Sequence, residues 1–301
     1  MTMKKQYMVA VLALFLAGTA QMKAQNSALG FTRIDRNPRT SALAGAGAAS
    51  NGNGAYGAFK NAAALPSLQG LGEAFAGLQL WEMSNEVDKT TNLMAGAGFR
   101  FGKFGVALGG VFQKGLQQGT FIPSDYLVSL GLAFQPIEKL SIGVNARYAG
   151  QNFSKEAKIG GFSADITVFS QITERLSVTG GVACLGPKVK GSSASYALPT
   201  HLLLAAAWKQ PLGERHRLEL MLDGEYDFSK AFSGAVGAEY VFNDLAFLRV
   251  GYRLAGENAV IPSHLAVGLG VQFQGFRADV SYLTASPILG NTLSIGVAYR
   301  F

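Results

Sequence analysis

From Gly72 to the end of the chain, apolar and polar residues alternate with a period of two over segments of about ten residues. Between Leu140 and Tyr148, one face carries Leu140, Ile142, Val144, Ala146 and Tyr148, and the other carries Ser141, Gly143, Asn145 and Arg147. The segment ending at Asp227 repeats the pattern, with Leu218, Leu220, Leu222, Gly224 and Tyr226 opposed to Glu219, Met221, Asp223 and Glu225. A helix would set these charges beside the leucines, so the period specifies strands. About fourteen such segments fall near 72–82, 91–101, 104–113, 125–135, 139–149, 160–170, 175–185, 199–209, 216–228, 232–242, 245–254, 263–274, 276–284 and 291–301.

The links between these segments alternate between short and longer ones. Gly102-Lys103, Asn243-Asp244 and Gly275 are among the short ones, and most intervening links are longer and richer in Gly, Ser, Asn and Lys. Periplasmic turns and extracellular loops alternate in this way. Aromatic residues add two girdles. Tyr148, Tyr226, Tyr252 and Tyr282 fall at outer strand ends, and Phe134, Trp208, Phe242, Phe273, Tyr299 and Phe301 at inner ones. The fold class expected is all-β: a transmembrane antiparallel barrel of about fourteen strands with an N-terminal plug. Tyr299 and Phe301 in the last strand would serve as the C-terminal assembly signal.

Composition agrees. The chain is 49% hydrophobic with a mean hydropathy of +0.20, yet no run of 18 apolar residues follows the N-terminus. A closed barrel is the membrane architecture that hides apolar residues in alternation. Lys4 and Lys5, the apolar stretch Met8–Ala17 and small residues ending at Ala20 or Ala24 form a secretory signal peptide over residues 1–24. Its ten-residue apolar core is short of the roughly 20 residues a membrane anchor needs. Residues 25–71 lack alternation and are too few for a domain with its own core, so a plug folded into the barrel, residues 72–301, is expected.

Removing residues 1–24 takes Lys4, Lys5 and Lys23 and no acid, leaving 23 basic against 19 acidic residues. A net charge of +4 without a basic cluster gives no reason to expect nucleic acid. Cys184 is the one cysteine, His201, His216 and His264 have no metal spacing, and no Gly-x-Ser-x-Gly elbow occurs. Gly45-Ala46-Gly47 and Gly52-Asn53-Gly54 lack the strand and helix context of a phosphate loop. No enzyme activity, cofactor or metal is expected.

The inward face carries both signs, including Asp223, Glu225, Glu239, Arg249 and Arg253. Arg33, Asp35, Arg36 and Arg39 offer the plug a matching set, so ion pairs between plug and wall are expected. Leu202–Trp208 is apolar on both faces. It turns Leu203, Ala205 and Ala207 inward, either as a dry seat for the plug or as part of a hydrophobic ligand channel.

Phe31-Thr32-Arg33-Ile34-Asp35-Arg36-Asn37-Pro38-Arg39, followed by Thr40-Ser41-Ala42-Leu43-Ala44-Gly45-Ala46-Gly47, resembles the opening of the PorV/PorQ family. Asn61-Ala62-Ala63 stands where that family has Asn-Pro-Ala. The resemblance implies a barrel like that of FadL, with a hatch and fourteen strands. It also implies a non-enzymatic partner of type IX secretion, binding secretion components and cargo C-terminal domains within the lipid of the outer membrane. The alternative is a FadL-like transporter of a hydrophobic ligand. An apolar path from the outer loops into the lumen would favour transport, and a hatch sealed by ion pairs would favour the partner.

Overall fold

The computed structural model describes residues 27–82, 90–115, 121–154, 156–191, 194–228, 231–256, 259–286 and 290–301. The expected signal segment lies outside these residues. Fourteen strands close into one antiparallel barrel: β1 (Gly72–Glu82), β2 (Thr90–Phe101), β3 (Phe104–Lys114), β4 (Ser124–Ile137), β5 (Leu140–Asn152), β6 (Lys158–Gln171), β7 (Leu176–Leu185), β10 (His201–Pro211), β11 (His216–Asp227), β12 (Ala231–Phe242), β13 (Ala246–Ala255), β14 (His264–Phe273), β15 (Phe276–Ser286) and β16 (Gly290–Arg300). β8 (Val189–Lys190) and β9 (Ser195–Tyr196) pair as a small hairpin in the outer loop between β7 and β10. Every segment expected from the alternation is a barrel strand, with ends differing by three residues at most. The hairpin is the addition: its two-residue strands are too short to register as a period.

Closure follows from the pairing of β1 with β16, where Glu73 lies opposite Arg300 and Glu82 opposite Asn291. No strand in the ring keeps a free edge, so every ladder hydrogen bond is made within the wall, as a lipid environment requires. Leucines of the alternating pattern face the lipid. Leu220, Leu222, Leu248 and Leu269 are about half exposed, while their neighbours Glu219, Asp223 and Arg249 are almost fully buried. Phe301 finishes the seam: its carbonyl accepts from Leu71 N and Gly72 N, and the rings of Tyr299 and Phe276 meet at a tilt on the outside, with centroids 4.4 Å apart.

Eight strands make an interior that wall side chains can fill, and fourteen leave more space than they can occupy. Residues 27–71 take up that space. They form only short helical turns, over Gly30–Arg33, Pro38–Ser41, Asn51–Ala58 and Ala62–Ser67. Their backbone runs against the wall where the inward residue is glycine. A Cβ on Gly143 of β5 would fall 2.1 Å from Ala63 N, and one on Gly251 of β13 would fall 2.1 Å from the carbonyl carbon of Leu43. Both obstacles are backbone atoms and cannot rotate away. The substitution Gly251→Ala is therefore expected to destabilise the barrel by about 1–3 kcal/mol, the usual effect of overpacking. Urea unfolding in lipid vesicles checks it, and an unchanged midpoint would show that the segment does not sit this close to the wall.

Candidate functional site

The segment inside the barrel is hydrogen-bonded within itself only in short turns, and inward polar side chains satisfy further groups of its backbone. The Asp223 carboxylate accepts from Gly47 N and Ala48 N, and the Glu73 carboxylate accepts from Ala55 N. Asn145 accepts from Ala62 N and donates to the carbonyls of Gly57 and Ala58. Ser129, Ser141 and Ser177 donate to Ala58, Ala63 and Ala49.

One flank, facing β10–β15, is held by charge. Arg39 reaches between two adjacent strands and donates to Glu239 through Nε and Nη2, both at 2.9 Å, and to Glu219 at 3.3 Å. Glu239 also pairs with Arg249, which pairs in turn with Asp279, and Asp279 with Arg277. Burial alone would lower the Arg39 guanidinium, but Glu239 and Glu219 outweigh it and hold it above its ordinary value. Nearer the outer side, Arg33 bridges Glu225 at 2.8 Å and Asp227 at 2.9 Å, and Arg253 meets the same Glu225 at 2.5 Å. Lys60, which sequence reasoning passed over, pairs with Asp223 and Asp35. Leu203, Ala205 and Ala207 point inward and pack on Leu43, Ala46, Ala48 and Ala49. Ala205 and Ala207 are covered by the segment's small residues, while Leu203 also lines the cavity described below.

Two of the residues expected to tie the inner segment to the wall behave otherwise. Asp35 pairs with Lys60, inside the same segment, and accepts from Asn37 N and Thr40 Oγ1. Arg36 makes no ion pair among the described residues: Nη1 donates to Gln79 Oε1 and Nη2 to the carbonyl of Phe31. Across the lumen lies the row Ser294, Gln79, Asn92, Gln113 on β16, β1, β2 and β3, which carries no charge until Asp125 on β4, and Asp125 acts on Arg36 without a direct pair.

The other flank is apolar. One register row below, Met94, Val111, Leu127 and Ala149 lie side by side on β2–β5, leading to Gly161 on β6. There Val189 of the outer hairpin touches the wall, and Leu29, Phe31 and Leu198 join the same cluster. The cluster runs on past Phe75, which stacks on Tyr56 with centroids 3.8 Å apart and meets Phe59 edge-on. An unbroken zone of mutually packed, buried apolar side chains therefore extends from an outer loop to the middle of the lumen. Its inward apolar positions on successive strands were visible in the sequence as gaps in the inward charge pattern.

Between the charged and apolar flanks, toward the outer side, lies a cavity of about 120 Å³. Ile34 and Phe59 line it from the apolar side, and Arg33, Lys60, Glu225 and Arg253 from the charged side. Arg36 and Gln79 also face it. Among the described residues no group of His, Cys, Asp and Glu could hold a metal ion.

No protein family and no curated protein matches the sequence. Solved structures do match the fold. The monoaromatic hydrocarbon channel CymD is 14% identical with a TM-score of 0.65, over 89% of this chain and 98% of that one. The toluene transporter TbuX of Ralstonia pickettii is 14% identical with a TM-score of 0.64, over 88% and 98%. A FadL homologue of Pseudomonas aeruginosa is 10% identical with a TM-score of 0.59, over 88% and 98%. The likeness is one of fold: this is a FadL-like, multi-pass barrel of the outer-membrane kind.

The Arg39 cluster makes a direct prediction. Removing one partner of a buried ion pair leaves the other uncompensated, a loss of about 3–5 kcal/mol. Arg39→Met is expected to destabilise the protein by that order and to raise its conductance in planar bilayers, and adding Glu219→Gln to recover part of the stability. Identical unfolding and conductance for Arg39→Met and the parent would remove Arg39 as the seal.

Proposed function

We propose that the protein takes up small hydrophobic molecules across the outer membrane. The observation that carries this reading is the continuous apolar surface from the β8–β9 hairpin, through Leu29 and Phe31, along the inside of β2–β5. A solute dissolved in that surface exchanges one apolar contact for another as it moves inward, and no charged group has to be desolvated on the way. The seal on the opposite flank keeps the lumen closed to ions meanwhile. The hydrocarbon channels and toluene transporter of similar fold support this assignment.

A second reading follows from the PorV/PorQ resemblance, in which the barrel is a partner of type IX secretion. The lumen closed by ion pairs around Arg39 favours it, since a binding partner needs a rigid rim and no passage. Type IX components retained on the barrel after purification from its native membrane, in excess over an unrelated barrel, would decide for this reading.

Transport is tested by uptake of radiolabelled toluene into cells whose own hydrocarbon channels have been deleted. Expression of the chain is expected to accelerate uptake, and Phe31→Asp, which puts a charge in the apolar surface, to return it to background while the barrel remains folded. Uptake no faster than with an unrelated barrel would overturn the proposal.

A further inference from the structure

The outer rim of the barrel is charged in a way that its periplasmic rim is not. Among the described side chains, the exposed charges at the outer strand ends and loops are Lys114, Glu156, Lys158, Lys188 and Lys190, four bases to one acid. On the periplasmic side, three turns set an acid beside a base, in Glu138-Lys139, Glu174-Arg175 and Glu214-Arg215, and Arg217 pairs with Asp244. The four outer lysines form no ion pair among the described residues.

Two of them stand in one register row. Lys114 on β3, Ser124 on β4, Asn152 on β5 and Lys158 on β6 lie side by side at the outer ends of their strands. Lys114 and Lys158 are exposed on the same outward face as Phe112 and Phe162. Neighbouring strands are about 4.8 Å apart, so three spacings set the two lysines about 14 Å from each other. Between them Asn152 Nδ2 donates to Ser124 Oγ at 3.1 Å, which holds an amide and a hydroxyl in the gap.

Immediately below, the wall is aromatic. Phe112 and Tyr126 pair in the next row, and Tyr148 and Phe162 in the one after. The rings of Tyr126 and Tyr148 lie 6.1 Å apart and those of Tyr148 and Phe162 4.7 Å apart. Phe162 is 69% exposed. Aromatic rings of this kind mark the boundary between hydrocarbon and headgroups. The lysine row therefore stands at headgroup depth in the outer leaflet, with stems that can lie along the rings and ammonium groups directed toward water. Lys188 and Lys190 add to the positive field from the side, since they flank Val189, which touches Gly161 on β6.

We propose that the outward face of β3–β6 at the outer rim binds a phosphorylated glycolipid of the outer leaflet. Lys114 and Lys158 meet its phosphates, Ser124 and Asn152 its sugar hydroxyls, and Phe112, Tyr148 and Phe162 its acyl chains. A headgroup with a single phosphodiester would occupy one lysine and leave the other idle. The width of the row calls for a headgroup that spans several strands and carries more than one anion. The site is on the lipid face of the wall, so it holds whatever the lumen carries.

The test is native mass spectrometry of the full-length barrel released from a non-ionic detergent. The probes are diphosphoryl lipid A, the same lipid stripped of its phosphates, and phosphatidylglycerol. Diphosphoryl lipid A is expected to remain bound, and the other two to be retained about tenfold less, the scale of two charges meeting an anionic lipid. Lys114→Gln with Lys158→Gln is expected to lower retention of diphosphoryl lipid A by the same factor, and Lys114→Arg with Lys158→Arg to keep it. Lys139→Gln with Arg175→Gln, which takes two bases from the periplasmic rim, is expected to change nothing. All four positions are exposed, so the variants are expected to fold. Retention of the phosphate-free lipid or of phosphatidylglycerol equal to that of diphosphoryl lipid A overturns the proposal. So does retention that is indifferent to Lys114 and Lys158, or that falls as far with the periplasmic variant, which would be a general attraction to a basic protein.

Discussion

A polypeptide segment without regular structure can lie inside a barrel only if each of its buried backbone N–H and C=O groups finds a partner. That requirement organises this molecule. Residues 27–71 close a series of short turns on themselves, and the wall satisfies further groups of their backbone through Asp223, Glu73, Asn145 and three serines. The polar inner face of the barrel is therefore largely spoken for. It is the complement of one particular backbone path, in the way that a capping side chain is the complement of a helix end.

The same requirement explains the asymmetry of the interior. Where inner segment and wall both carry charges, around Arg39 and Arg33, the two are tied by buried ion pairs whose separation would strand several charges at once. Where they meet through Phe31, Val111 and Leu127, contact is non-directional and tolerates substitution of one apolar body by another. One side of the lumen is thus fixed and the other accommodating. The cavity lies between them.

Much of this architecture was legible in the chain. Period two is imposed directly by the pleat, so β5 and β11 could be read residue by residue. The inner segment declared itself by the absence of that period. The set of charges facing inward was legible too, but their pairing was not. Arg33, Arg36 and Arg39 look equivalent as a string, and what separates them is which register row each meets across the lumen. Arg39 meets Glu219 and Glu239, whereas Arg36 meets Gln79. That depends on distances between residues more than forty positions apart, which no local pattern encodes. The β8–β9 hairpin escaped for the opposite reason, being too local and too short to carry a period. The apolar row was present in the sequence as Met94, Val111 and Leu127, and it becomes continuous only once neighbouring strands are set side by side.

Glu73 carries a consequence for how the molecule is put together. It is the second residue of the first strand, it holds the Ala55 amide of the inner segment, and it meets Arg300 of the last strand across the seam. The first strand, the last strand and the filling of the lumen are joined at one carboxylate. Seam and filling therefore share a single point of failure: loss of the Glu73 carboxylate would loosen the closure of the ring and the seating of its contents together.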